Sequence, residues 1–146
     1  EHAIEVQLPF LQMRRSDLSF VPIAIGTRDF DILRALGIAL ADAIEALSEN
    51  VLIVASSDMN HYESDAVTRV KDHKAIARVL ALDARGLWDV VTSDDISMCG
   101  MGPSVAMLTA ATRLGAKAAT LVRYATSGDV SGDYEKVVGY AGIVVA

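Results

Sequence analysis

The sequence predicts an α/β fold with a mixed, mostly parallel central β-sheet flanked by helices. Two short apolar runs, FVPIAI and VLIVA, have the composition of buried strands. Longer stretches with apolar residues at helical spacing separate these runs and follow them. Near the end of the chain, two further apolar runs joined by a turn-rich segment indicate an antiparallel pair at the sheet edge.

The first part of the chain alternates helix and strand. Residues 3–15 carry apolar side chains at mixed spacing and are predicted to form a helix that its proline bends or divides. Residues 20–25 are a β-branched run closed by a glycine, which predicts a buried strand. An alanine-rich helix is predicted from residue 27 or 28 to residue 47, and the run 51–55 is the second buried strand.

The second part of the chain is predicted to contain three helices and then the antiparallel strands. The first helix runs from residue 64 or 65 to 82, and a shorter one, over 83–91, places the single tryptophan in the core. Residues 103–114 begin with proline and end before a glycine, which marks both ends of a helix. Residues 118–125 and 137–145 are the antiparallel strands, and the SGDVSGDYEK segment between them is predicted to be a tight loop.

Composition narrows the class of protein. The chain has 146 residues, enough for one domain with its own core. A net charge of −6, with scattered Lys and Arg, argues against nucleic acid as a partner. No apolar stretch reaches the roughly 18 residues that span a bilayer, so we expect no membrane association and a cytoplasmic location. Cys99 is the single cysteine, which excludes an intrachain disulfide.

Polar residues that can carry chemistry fall in three clusters. Glu1 and His2 open the chain, Asp58 and His61 follow the VLIVA run, and Cys99 precedes the helix that begins with proline. Together they supply imidazoles, carboxylates and a thiol, the groups from which a transition-metal site or an acid–base site is built. His73 lies among charged residues in a predicted helix and is interpreted as part of a solvated face.

Each cluster also has a structural interpretation. Residues three apart lie on one side of a turn, so Asp58 can orient the ring of His61, or it can simply cap a turn with His61 at the surface. Cys99 near a helix N-terminus favours a thiolate, but a lone cysteine is equally often a small buried apolar residue. Gly100 and Gly102 favour function, since glycine lets the backbone approach another group closely.

Four motifs in order along the chain resemble the Memo family: EHAIEVQLPFLQ, VASSDMNHY, the CG of CGMGP, and YATSGDVSGDYEKVVGYAGIVV. The fold of that family is similar to class III extradiol ring-cleaving dioxygenases, which hold a non-heme ferrous ion with two histidines and a carboxylate. The resemblance implies that Cys99 replaces the carboxylate ligand. It also implies that His61 is the acid–base group, with Asp58 close by, and that Glu1 and His2 lie near the substrate pocket.

The same resemblance identifies the chain as the C-terminal part of a longer Memo-like protein. The family's two histidine ligands belong to its N-terminal half, and neither His2 nor His73 matches them. We therefore expect this chain alone to be metal-free or to bind metal weakly, whereas the full-length protein would coordinate iron or copper.

Three functions follow from these interpretations. The first is a non-heme iron-dependent oxidoreductase related to class III extradiol dioxygenases. The second is a non-catalytic module that keeps the pocket for a metal, a small molecule or a peptide, in signalling or beside a radical-SAM protein. The third is a thiol hydrolase with Cys99 as nucleophile and His61 as base.

Overall fold

A computed structural model describes residues 3–146, and Glu1 and His2 lie outside this range. Six helices and three strands are present within it. In chain order they are α1 (Leu8–Arg14), α2 (Phe30–Glu45), β1 (His61–Glu63), α3 (Asp65–Leu80), α4 (Ala84–Ser93), α5 (Met101–Arg113), β2 (Ala119–Thr126), α6 (Gly128–Ser131) and β3 (Val137–Val145). Among these helices none has both the length and the apolar character needed to cross a lipid bilayer.

The strands form one antiparallel sheet in the order β1-β3-β2. The predicted hairpin near the end of the chain is confirmed, because β2 and β3 pair antiparallel from Ala119 opposite Val145 to Thr126 opposite Gly139. The short strand β1, which the sequence did not predict, pairs with the other edge of β3 and places His61 opposite Val138. His61 is thus part of the sheet, as the first residue of β1.

The predicted mostly parallel central sheet is not confirmed in the described residues, where the strands are antiparallel. Neither 20–25 nor 51–55 belongs to a strand. A strand requires a neighbouring strand to receive its hydrogen bonds, and none of the described strands lies beside either run. Their side chains remain partly open to solvent, with Val21 82% and Leu52 75% exposed. The arrangement is mixed α/β, and the likeness to class III extradiol dioxygenases stays a prediction.

The predicted helices are present with shifted ends. Helix α1 begins at Leu8, so Pro9 lies in its first turn, where a missing backbone N–H costs nothing, and does not bend a longer helix. Helix α2 begins at Phe30 because the Asp29 side chain accepts a hydrogen bond from the Ile32 N–H at 3.1 Å. Helix α5 starts at Met101, two residues before the predicted position.

The core lies between the helices and one face of the sheet. Its largest buried side chains come from α2, α3, α4 and α5, including Leu33, Ile76, Leu87 and Leu108. Trp88 is half-buried against this core, as predicted, and its indole N–H donates to the Arg28 carbonyl at 2.7 Å.

Helix α3 turns a polar face toward the segment that contains Asn60 and His61 (the site segment). Its apolar residues predict an inner face that includes Val67 and Val70, but these are 43% and 60% exposed. Thr68 and Asp72 are fully buried in their place. They point inward because both hydrogen-bond Asn60, the residue before His61. These two hydrogen bonds satisfy the polar groups that this orientation of α3 buries.

Candidate metal and acid–base site

The structure brings together three of the five residues that the sequence singled out. One potential ligand atom from each of Asp58, His61 and Cys99 lies within 4.8 Å of those of the other two. His61 Nε2 is 3.5 Å from Asp58 Oδ2. The Asp58 N–H donates to Cys99 Sγ at 3.2 Å. Glu1 and His2 lie outside the described residues, so the structure does not place them.

A glycine and a serine bring Cys99 to this site. The Gly100 N–H donates to Ser57 Oγ at 2.9 Å. A β-carbon at position 100 would lie 2.4 Å from the Ser56 carbonyl oxygen, a distance that real side chains do not reach. The predicted close backbone approach at this glycine is confirmed, and it joins the segment before α5 to the segment before β1.

Strand β3 fixes the other side of the site segment. The Met59 N–H donates to the Gly139 carbonyl at 2.9 Å, and the Gly139 N–H donates back to the Asn60 carbonyl at 3.0 Å. Because Met59 and Asn60 are 4% and 1% exposed, this two-bond link is protected from water. Asp58 and His61 therefore project from a backbone that is held on both sides.

The orientation of His61 follows from its second ring nitrogen. Nδ1 lies 2.7 Å from the backbone carbonyl oxygen of Ser97. A carbonyl oxygen only accepts hydrogen bonds, so Nδ1 carries the hydrogen in this contact. Nε2 faces Asp58, and the side chain of His61 is only 18% exposed. In the neutral ring the unprotonated Nε2 therefore faces the Asp58 carboxylate.

The buried carboxylate of Asp72 supports the site segment. Asp72 accepts from the Asn60 N–H at 2.8 Å and from the Tyr124 hydroxyl at 2.7 Å. Burial raises the pKa of Asp72 above its ordinary value, although both of these hydrogen bonds favour the charged form. Burial and the neighbouring Asp72 likewise raise the pKa of Tyr124.

Two tyrosines flank the site. Tyr62 has a positive φ of 62°, unusual for a residue with a bulky side chain, at an irregularity in the pairing of β1 with β3. Its ring centroid lies 5.6 Å from that of His61. Burial, followed by the negative charge of Asp58, raises the pKa of the second tyrosine, Tyr140. Strained backbone of this kind is concentrated at functional sites.

A cleft of about 330 Å³ opens beside Cys99. Its walls include Thr27, Arg28, Ser97 and Pro103, so it extends from the thiol toward the start of α5. Among the described residues that line it, Arg28 is the one Lys, Arg, Asp or Glu. The cleft gives a small molecule access to the sulfur.

The three donor atoms suit a transition metal. Thiolate sulfur and imidazole nitrogen are preferred ligands of iron, copper and zinc, and a carboxylate oxygen completes a mixed set. Ligand atoms bound at about 2.0–2.3 Å to one tetrahedral ion lie roughly 3.3–3.8 Å apart. Here the three atoms lie within 4.8 Å of one another, a limit somewhat wider than that spacing. The residues present fit a metal ion.

Sequence reasoning missed Asn60, Asp72 and Ser97. Asn60 lies inside the DMNHY motif, which was a usable signal. Asp72 and Ser97 carry no local signal, because their roles depend on contacts with residues 12 and 37 positions away.

These features describe an α/β protein with a candidate metal and acid–base site at a sheet edge. The family model of the Memo-like protein matches residues 1–144, and the chain belongs to this family. It is 46% identical over 145 residues to a MEMO1 family protein of Methanopyrus kandleri, covering 99% of this chain and 51% of that protein. A MEMO1 family protein of Methanosarcina acetivorans is also 46% identical, over 99% of this chain and 55% of its own length. The chain thus spans about half the length of the curated relatives it matches.

Proposed function

We propose that this chain contributes to the active site of a non-heme metal-dependent oxidoreductase related to class III extradiol dioxygenases. The observation that supports this function is the convergence of Asp58, His61 and Cys99, whose potential ligand atoms lie within 4.8 Å of one another. In the proposed site Cys99 holds an iron or copper ion, His61 transfers protons, and Asp58 orients the His61 ring.

The chemistry of each group supports its assignment. A bound transition-metal ion supplies Lewis-acid and redox chemistry to a substrate that it coordinates. Cys99 Sγ accepts a hydrogen bond from the Asp58 N–H at 3.2 Å, which holds the sulfur at the place where it would bind the ion. His61 Nε2 faces Asp58 at 3.5 Å, and in the proposed site this nitrogen would accept a proton from a substrate hydroxyl.

The ligand set of the proposed site extends beyond this chain. The family resemblance assigns two histidine ligands to sequence that this chain does not contain. We therefore propose that the site is complete in the full-length protein and that this chain alone binds the ion more weakly. An open coordination position is what a substrate needs in such a site.

Metal analysis of full-length protein purified without oxygen tests the assignment. We expect stoichiometric iron or copper in the wild type, its loss in Cys99→Ser, and its retention in His61→Gln, because a proton-transfer group is not a ligand. His73→Gln is the matched control, since His73 is exposed on α3. Loss of the ion in His61→Gln would assign that ring as a ligand instead.

Oxygen uptake with a panel of catechols tests the reaction. We expect turnover in the wild type, none in His61→Gln, and unchanged turnover in His73→Gln. A metal-loaded protein that consumes no oxygen with any catechol would contradict the oxidoreductase and favour a non-catalytic metal- or ligand-binding module. Rapid alkylation of Cys99 in a protein without metal would favour a thiol nucleophile.

A further inference from the structure

We propose that Asn60 and Ser97 are positioning residues that hold the neutral His61 ring in its Nδ1–H tautomer, with the unprotonated Nε2 directed at Asp58. The direct contact is the Ser97 carbonyl oxygen, 2.7 Å from Nδ1. Since a carbonyl cannot donate, this contact exists only when Nδ1 carries the hydrogen.

Ser97 is held in place by its neighbours on both sides. Its N–H and its hydroxyl donate to Asn60 Oδ1 at 3.1 and 3.0 Å. Its Oγ accepts from the His61 N–H at 2.7 Å. These bonds connect the segment before α5 with the first residue of β1, so they fix the carbonyl of Ser97 relative to the His61 ring.

The orientation of the Asn60 amide is determined by its partners. Oδ1 must face Ser97, because the Ser97 backbone N–H only donates. The amide nitrogen then donates to Glu63 Oε2 at 2.6 Å and to Thr68 Oγ1 at 3.3 Å. Asn60 is 1% exposed, so water does not replace these bonds. An aspartate at this position would oppose the carboxylate of Glu63 and lose this arrangement.

The Asp58 carboxylate and the Ser97 carbonyl favour opposite tautomers of the His61 ring. Asp58 Oδ2 lies 3.5 Å from Nε2 and favours a hydrogen on that nitrogen. The Ser97 carbonyl favours the hydrogen on Nδ1. The two tautomers are therefore in competition, and loosening Ser97 shifts the population toward Nε2–H.

The purpose of this positioning rests on the proposed function, but the positioning itself does not. An unprotonated Nε2 is what a proton acceptor at this site needs, whereas the tautomer itself is a property of the metal-free protein. Metal analysis thus tests the function, and spectra recorded without metal test the positioning.

Long-range ¹H–¹⁵N correlation spectra of the metal-free, ¹⁵N-histidine-labelled full chain test the proposal. At about pH 8.5, roughly two units above the ordinary histidine pKa, the ring nitrogen shifts distinguish the two tautomers. His61→Gln identifies the signals of His61. We expect the Nδ1–H form in the wild type and a shift of about three- to tenfold toward Nε2–H in Ser97→Ala, the effect of weakening one hydrogen bond.

Ser93→Ala is the matched control, because Ser93 is exposed on α4 and its hydroxyl donates to Asp94. The tautomer ratio of this variant should equal that of the wild type. Asn60→Asp should shift the ratio in the same direction as Ser97→Ala. Both variants must keep the amide spectrum of a folded chain, and Ser97→Ala decides the matter if Asn60→Asp does not fold. An Nε2–H tautomer in the wild type, or an unchanged ratio in folded Ser97→Ala, would overturn the proposal.

Discussion

The backbone N–H of Asp58 donates to Sγ of Cys99 at 3.2 Å, across 41 residues of sequence. Asp58 thus contributes to the site twice, because its backbone N–H holds the Cys99 sulfur while its side chain faces Nε2 of His61 at 3.5 Å. A substitution of the Asp58 side chain leaves the backbone donor in place. The two contributions can therefore be separated by experiment.

Replacing Asp58 by asparagine should weaken metal binding without unfolding the protein. The side chain is 48% exposed, so the change costs little stability. It removes a negative charge whose oxygen lies within 4.8 Å of the Cys99 sulfur, so the electrostatic attraction of the site for a cation falls, and we expect metal affinity to drop by about 10-fold. Competition with a metal-binding dye measures the affinity. An unchanged affinity would remove Asp58 from the site, and Asp31→Asn, at an 85% exposed position, is the control.

Gly100→Ala should separate Cys99 from the Asp58 segment. The new β-carbon would meet the Ser56 carbonyl and the Ser57 β-carbon, both at 2.4 Å, and backbone cannot move aside as a flexible side chain does. We expect the free energy of unfolding to fall by about 1–3 kcal/mol, together with weaker metal binding. Urea unfolding measures the first effect.

Gly142→Ala provides the matched control, because within residues 3–146 no atom lies within 4 Å of a β-carbon at that position. Its unfolding free energy should stay close to that of the wild type. A Gly100→Ala variant as stable as Gly142→Ala would show that the close approach to Ser56 is not required.

Asp72 should make the protein less stable as the pH rises. Burial raises the pKa of Asp72 in the folded state above the value of an exposed aspartate. Between those two pKa values the folded state binds more protons than the unfolded state, so the free energy of unfolding falls as the pH increases through that interval. In Asp72→Asn this component is absent. Urea unfolding over a pH series should show the wild type losing stability relative to Asp72→Asn with rising pH, and parallel curves would contradict it.

Arg69 should produce the opposite dependence at acid pH. Its guanidinium bonds Asp65 at 2.7 Å and Asp129 at 2.8 Å. Arg69 lowers the pKa of Asp65, and the Thr126 N–H together with Arg69 lowers that of Asp129. Groups with a lowered folded-state pKa stabilise the protein above their unfolded pKa, and this stability is lost as the pH falls through the folded value.

Arg69→Met should therefore be less stable near neutrality, with a shallower loss of stability on acidification. Chemical unfolding at several pH values measures both effects. The control is Arg34→Met, since Arg34 contacts Asp31 only at 3.8 Å on the surface. Equal acid dependence in Arg69→Met and the wild type would show that the Arg69 pairs do not determine it.

Local signals in the sequence predicted most of the helices and the β2–β3 hairpin. The alanine-rich pattern of α2 and the two apolar runs of the hairpin are each sufficient, because the partners of their backbone groups lie nearby in sequence. Residues 20–25 and 51–55 have an equally apolar pattern but are not strands. Composition indicates only that such a run can be buried, and pairing depends on what lies beside it.

The candidate site was predictable in its donors but not in its supports. Asp58, His61 and Cys99 are residue types with distinctive chemistry, and motif resemblance pointed to each. The contribution of Asn60 arises from bonds to residues as far away as Ser97, which no periodicity reveals. The burial of Asp72 on α3 is likewise not visible in the local sequence, because its carboxylate accepts a hydrogen bond from Asn60, which precedes the helix.

The VLIVA run has a practical consequence for work with the purified chain. Val51, Leu52 and Val54 are 45%, 75% and 49% exposed, and the run has high β-propensity without a charge or a proline. Short segments of this composition nucleate intermolecular cross-β assembly when they are accessible. Concentrated samples should therefore aggregate through this run first, and Leu52→Lys should extend the concentration range in which the chain stays dispersed.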